Sequence, residues 1–187
     1  MTFFFNGLKD VKYPGEDQVV IPSPRVANYE EVPEMSAGKV TERVIKEVKA
    51  DKYDFIVVNF ANPDIIGHSG NMPLIIKSLE FLDSCLGQIV DLVIAKSGVV
   101  LITADHGNAE EKINLQTGEK LTEHSTNPVP LLIIGKEWEG QTGGLAEGVD
   151  GDLSLVPPGG LLSDVAPTIL KIMGLKIPPE MNGAPLI

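Results

Sequence analysis

The run Gly98-Val99-Val100-Leu101-Ile102 leads without a break into Thr103-Ala104-Asp105-His106-Gly107-Asn108. Five apolar or small residues in a row read as a buried strand. A carboxylate and an imidazole side by side at its end form a pair that a core cannot use and a metal ion can.

Two other segments carry the same chemistry. Tyr53 to Phe60 is apolar with little alternation, as expected of a parallel strand covered on both faces, and runs into Ala61-Asn62-Pro63-Asp64-Ile65-Ile66-Gly67-His68. Asp64 and His68 stand four residues apart, so a helical or tightly wound segment points both at one ion. The third segment, Glu123-His124-Ser125-Thr126-Asn127-Pro128, precedes the apolar run Leu131 to Ile134. The chain has three histidines, all in these loops, so none is left as a core or surface residue. A lone Asp after a strand is ordinarily a helix cap, and a lone His is ordinarily a hydrogen-bonded structural residue. Capping does not explain three such loops at once.

Mixed Asp and His donors suit Zn, Mn or Fe better than Ca or Mg, which take all-oxygen shells. Asp64, His68, His124, Asp105 and His106 are too many donors for one tetrahedral ion and natural for two. A two-metal site clamps the attacking and leaving oxygens of a phosphoryl group, so phosphoryl transfer or hydrolysis is the expected chemistry.

Composition limits the alternatives. Fifteen Lys and Arg against 26 Asp and Glu give a formal charge of -11, which disfavours a nucleic-acid or anionic-membrane partner. No basic patch with interleaved aromatics occurs. A single cysteine, Cys85, forbids an internal disulfide and, with Leu82 and Leu86 beside it, reads as a core residue. No apolar run is long enough to span a bilayer, and no secretory leader is evident, which predicts a cytoplasmic protein. Gly143-Gly144 and Gly159-Gly160 match neither a P-loop nor a dinucleotide fingerprint.

Met1 to Phe5 reads as a buried strand stopped by Asn6-Gly7, and a chain that opens on a core strand predicts a preceding segment. Val19 to Ile21 is a candidate short strand. Ser36 is a candidate N-cap for a helix to about Ala50, with Val40, Val44, Ile45 and Val48 on one stripe. Asn71 and Pro73 start a long helix that closes near Ser97-Gly98. Thr117-Gly118 centres an extended excursion or hairpin between Ile113 and His124, and Glu137 to Gly160 is a loop. Ser163-Asp164 caps a last helix to about Met173, stopped by Gly174, and the tail to Ile187 docks on the body. Strands alternating with helices predict a three-layer α/β/α sandwich with a mainly parallel sheet. Ligands of such sheets bind beyond the strands' carboxyl ends, where the three loops fall.

Asn59 to Gly70, Leu101 to Glu110 and Glu123 to Pro130 closely resemble the metal motifs of the cofactor-independent phosphoglycerate mutases. Thr2 to Gly7, Pro22 to Ala27, Pro33 to Ser36 and Asp164 to Leu170 are similar to the same family, so the resemblance spans nearly the whole chain. The broader group is the alkaline phosphatase superfamily. The resemblance implies that Asp64, His68 and His124 hold one manganese and that Asp105 and His106 contribute to a second. It implies interconversion of 3-phosphoglycerate and 2-phosphoglycerate through a phosphoserine intermediate.

Parts of the family's pattern are missing. The family's nucleophilic serine lies in an N-terminal segment, and its substrate-gripping arginines lie in an inserted domain; neither matches anything in this chain. Only Arg25 and Arg43 occur here. Ser23 sits between prolines, Ser36 reads as a cap, and Ser69 and Ser125 merely neighbour ligands, so none replaces the nucleophile. Residues 1–187 are therefore expected to be the C-terminal part of the phosphatase-like domain, incomplete on its N-terminal side. Such a chain would be inactive alone, dependent on the missing segment or a companion chain, and prone to self-association through an exposed sheet edge. A related metallophosphatase or phosphopentomutase, and a non-catalytic metal-binding protein, are the alternatives.

Overall fold

The structure is a computed structural model and describes residues 2–141 and 157–187. The expected loop Glu137 to Gly160 lies largely outside the described residues. Its start, Lys136–Trp138, is a 3-10 turn.

Two long helices form the main core. Helix α2, Ala37–Ala50, forms as predicted; it buries Ala37, Thr41 and Val44, while Val40, Ile45 and Val48 of the expected stripe are half-buried. It ends where Asp51 turns left-handed at φ 55° and returns its N–H to the Val48 carbonyl. Helix α4, Met72–Ala95, carries Pro73 in its first turn, where the missing N–H is no loss, and buries Ile75, Ser78, Leu82, Cys85 and Ile89. α2 packs on α4, and Phe81 fits over Gly38, where an added Cβ would lie 3.6 Å from the ring. Each fully buried Ile or Leu contributes about 1.5–3 kcal/mol here. Cys85 is 2% exposed, the core residue its helical neighbours predicted.

The turn at Pro33 joins this core to the short helix α3, Asn62–Gly67. The Pro33 carbonyl accepts from Asn62 Nδ2 at 3.0 Å and from Ser78 Oγ at 2.9 Å, and the Glu34 carbonyl accepts from Asn62 Nδ2 at 2.7 Å. These bonds lock α3 to the N-terminal half of α4. Ser36 makes no side-chain cap; its Oγ donates to the Pro22 carbonyl at 2.7 Å and holds down the preceding strap instead.

Strand β1, Val100–Thr103, pairs with β2, Leu131–Ile134, in an antiparallel ladder that sets Val100 opposite Ile134 and Thr103 opposite Leu131. No parallel pair forms among the described residues. β1 packs against α4 and is half-buried from Val100 to Ile102, with Thr103 exposed. The chain is α/β, as its alternating pattern predicts.

Other expected strands differ. Thr2–Phe5 is a single helical turn, α1, and Phe4 is 73% exposed. With no strand beside it among the described residues, this segment satisfies its carbonyls locally: Phe4 and Phe3 accept from Gly7 and Leu8. Val19 to Ile21 is irregular. Tyr53 to Phe60 has no ladder partner among the described residues. Ile56, Val58 and Phe60 are half-buried on one side, while Phe55 and Val57 on the other are 41% and 37% exposed, so only one face is covered. The strap before it is tied on by Asp17, which accepts from Lys52 Nζ at 2.6 Å and the Tyr53 hydroxyl at 2.7 Å.

The last helix, α5, spans Val165–Ile172, and Gly174 ends it at φ 66°. Asp164 precedes it as expected but does not cap it by its side chain. Its carboxylate accepts from the Leu161 amide at 2.8 Å and from the Ala184 amide at 2.9 Å. Thr168 Oγ1 accepts from the Leu186 amide at 3.0 Å, so the tail docks on the body as predicted.

Candidate metal centre

Helix α3 is too short to be stable alone; its role is geometric. One turn of helix sets Asp64 and His68 on the same side, and His68 Nε2 lies 3.2 Å from Asp64 Oδ1. The loop before β2 brings His124 Nε2 to 3.0 Å from the same oxygen and 3.2 Å from His68 Nε2. The ligating atoms of Asp64, His68 and His124 all lie within 4.8 Å of one another.

The loop after β1 completes the cluster. His106 stacks on His124 with ring centroids 3.8 Å apart and planes 19° apart, and its Nε2 lies 4.0 Å from Asp64 Oδ1. Asp105 Oδ1 is 3.6 Å from His106 Nε2, while its side chain is 91% exposed. All five predicted residues therefore come together, three as a tight triad and two at its open side.

The hydrogen bonding around the triad matches a cation site. His68 Nδ1 contacts the Thr122 carbonyl at 2.6 Å, and because a carbonyl only accepts, Nδ1 carries the proton. In the neutral ring Nε2 then offers its lone pair toward a carboxylate oxygen and a second imidazole nitrogen. Ligands about 2.0–2.1 Å from an ion lie about 3 Å from each other, which is the spacing found here. The donor set thus fits a divalent transition metal, with the outer hydrogen bond to Thr122 orienting one ligand.

Asp64 also accepts from Asn108 Nδ2 at 2.7 Å. Burial pushes its carboxyl up, but the Asn108 amide and the imidazoles of His68, His124 and His106 outweigh this and hold it below the usual carboxylate range. Glu110 is a second organiser. It accepts from the Asn108 amide at 2.7 Å, from Asn127 Nδ2 at 3.1 Å and from Ser125 Oγ, so it staples the loop after β1 to the loop before β2. Burial raises its carboxyl, and these hydrogen bonds bring it to a net position below normal. The hydroxyls of Ser69 and Ser125 donate to the Ile66 carbonyl and to Glu110, which explains both serines without a nucleophile's role.

Asn108, Glu110, Lys112 and the Thr122 carbonyl were not read from the sequence as parts of the site. Asn108 and Glu110 do lie in the quoted motif, two and four residues after His106, and that proximity was the available signal.

The sequence profile of the metalloenzyme superfamily matches residues 1–177. The chain belongs to the metalloenzyme superfamily. It is 46% identical over 187 residues to 2,3-bisphosphoglycerate-independent phosphoglycerate mutases of Clostridium perfringens and Thiobacillus denitrificans, covering 100% of this chain and 34% of each relative. The chain thus spans about a third of the length of the curated relatives it matches. Among solved structures, a phosphoglycerate mutase of Leishmania mexicana, crystallised at low cobalt concentration, superposes with a TM-score of 0.78 at 28% identity. That match covers 98% of this chain and 34% of the other. The α/β class predicted for the chain agrees with this neighbour.

Proposed function

We propose that residues 1–187 are the C-terminal, metal-binding part of a 2,3-bisphosphoglycerate-independent phosphoglycerate mutase, which interconverts 3-phosphoglycerate and 2-phosphoglycerate in the cytoplasm. The observation that carries this reading is the convergence of Asp64, His68 and His124 within 4.8 Å, in a chain similar along its whole length to such mutases. Asp64, His68 and His124 would hold one divalent ion, manganese by the resemblance to the mutase family, and Asp105 and His106 would contribute to a second. Bound, the ions would neutralise phosphoryl charge and lower the pKa of an attacking hydroxyl.

The chain's own residues orient and open the site. Thr122 fixes the His68 tautomer, Asn108 holds Asp64, and the stacked ring of His106 sets the plane of His124. Asp105 and His106 form the open side, where a nucleophile and substrate from another segment would approach. The nucleophilic serine and the substrate-binding domain belong, in this reading, to the missing N-terminal segment or a companion chain. The exposed apolar residues Phe4, Phe55, Val57 and Leu132 support docking of that segment, and self-association when it is absent.

The test is turnover of 3-phosphoglycerate with Mn²⁺. The expected result is none from this chain alone and activity when the N-terminal part of a relative is supplied. Turnover by the purified chain would overturn the fragment reading. Turnover of pentose phosphates in preference to phosphoglycerates by the reconstituted protein would overturn the assigned substrate.

A further inference from the structure

Lys112 is 2% exposed, although it sits in the polar run Glu110-Glu111-Lys112 where a solvated side chain is the ordinary expectation. A buried ammonium is costly unless its donors are matched. Here they are: Nζ donates to Asn108 Oδ1, to the Gly67 carbonyl at 3.4 Å and to the Glu123 carbonyl at 3.5 Å. Gly67 directly precedes His68, Glu123 directly precedes His124, and Asn108 holds Asp64. One cation therefore touches all three ligand-bearing loops from behind.

The link to Asn108 is directional. A lysine ammonium has only donors and a carboxylate only acceptors, so an amide wedged between them has one permissible orientation, Oδ1 to Lys112 and Nδ2 to Asp64. Asn108 is 5% exposed and fits only because residue 67 lacks a side chain: a Cβ there would lie 2.7 Å from Asn108 Oδ1. Burial pushes the Lys112 ammonium down, opposed by Glu110, Asp64, Glu111 and Glu123 around it.

We propose that Lys112 is the positioning residue of the metal centre, an internal tether that acts through Asn108 to aim Asp64. This rests on the metal reading of the triad given above.

The experiment is titration of Mn²⁺ alone into this chain by calorimetry, for the wild type, Lys112→Met, Asn108→Ala and the double variant. Loss of an outer-shell partner typically weakens metal binding about 10–100-fold, and each single variant is expected in that range. Because Lys112 acts through Asn108, the double variant should bind no more than about threefold weaker than Asn108→Ala. Wild-type affinity in Lys112→Met, or losses that simply multiply, would overturn the proposal. Lys112→Gln, which keeps an N–H donor without charge, carries the same titration should the methionine variant not fold, and is expected to recover part of the affinity. A second readout needs no metal: the Asn108 side-chain amide resonances in NMR spectra should be dispersed in the wild type and collapse toward solvent-exposed values in the Lys112 variants. An undisturbed amide would overturn the tether. Failure of the wild type to bind Mn²⁺ would overturn the metal reading and with it the positioning role, and the amide spectra would still report whether the tether itself exists.

Discussion

Asp64 and Asp164 both lie at the start of a helix near a proline, and the fold treats them in opposite ways. Asp164 is 9% exposed, and its two oxygens are occupied by the amides of Leu161 and Ala184. The tail passes so close that a Cβ on Gly183 would lie 2.9 Å from Asp164 Oδ1. Asp64 is 37% exposed at its side chain, and one of its oxygens faces three imidazole nitrogens at 3.0, 3.2 and 4.0 Å. A carboxylate whose lone pairs are used by backbone amides is a fastener. One that shares an oxygen among imidazoles, with a single amide to orient it, is arranged for a cation.

The largest separation between the two should appear on neutralising Asp64. Asp64→Asn is expected to weaken Mn²⁺ binding more than about 100-fold, beyond the range of outer-shell losses, with little change in thermal stability. Asp164→Asn should leave the metal Kd where it was. Equal metal losses in two folded variants would break the comparison.

Stability should show the converse. Asp164→Ala leaves the Leu161 and Ala184 amides without their acceptor, and a hydrogen bond to a charged group contributes about 1.5–3 kcal/mol, so urea unfolding should report a loss of that size. An unchanged urea midpoint would show that the tail is not held by this carboxylate.

Asp105 sharpens the contrast from the other side. It is 91% exposed and, among the described residues, reaches only His106, so Asp105→Ala should shift the Mn²⁺ Kd of the triad by less than about threefold. Loss of the tight site in that variant would place Asp105 in the triad's own shell.

Glu110 gives the smallest effect. Its native carboxyl is held below the usual value, so it contributes stability above the ordinary glutamate range and loses it as pH falls through the native value. The urea midpoint of the wild type should therefore drop with acidification in that range, and Glu110→Gln should flatten the drop. An identical pH profile in the variant would remove Glu110 from the set of stabilising carboxylates.

How much was legible follows from where each interaction lies. Helices α2 and α4 were readable because their hydrogen bonds close within four residues and their apolar stripes show in order. The turn at Thr117-Gly118 was readable too, and Asn114 and Glu119 do pair across it, with the Gly118 φ at 73°. Met1 to Phe5 and Tyr53 to Phe60 misled because an apolar run becomes a strand only beside another strand, and none pairs with them among the described residues. Asp164 was placed correctly and given the wrong partner, since a cap and a tail clamp use the same residue type. Lys112 left no trace: a lysine among glutamates reads as solvated, and only packing shows that it is not.

The amino-acid order alone marked the candidate metal residues, because three histidines and two aspartates gathered in three short segments have few uses, and it determined the helices, whose partners are local. The tertiary structure decided which carboxylate is free to meet a cation, which apolar runs pair, and that one buried ammonium ties the three ligand loops together. Those outcomes depend on donors and acceptors dozens of residues apart, as between Asp64 and Asn108, and such pairings exist only once the chain has folded.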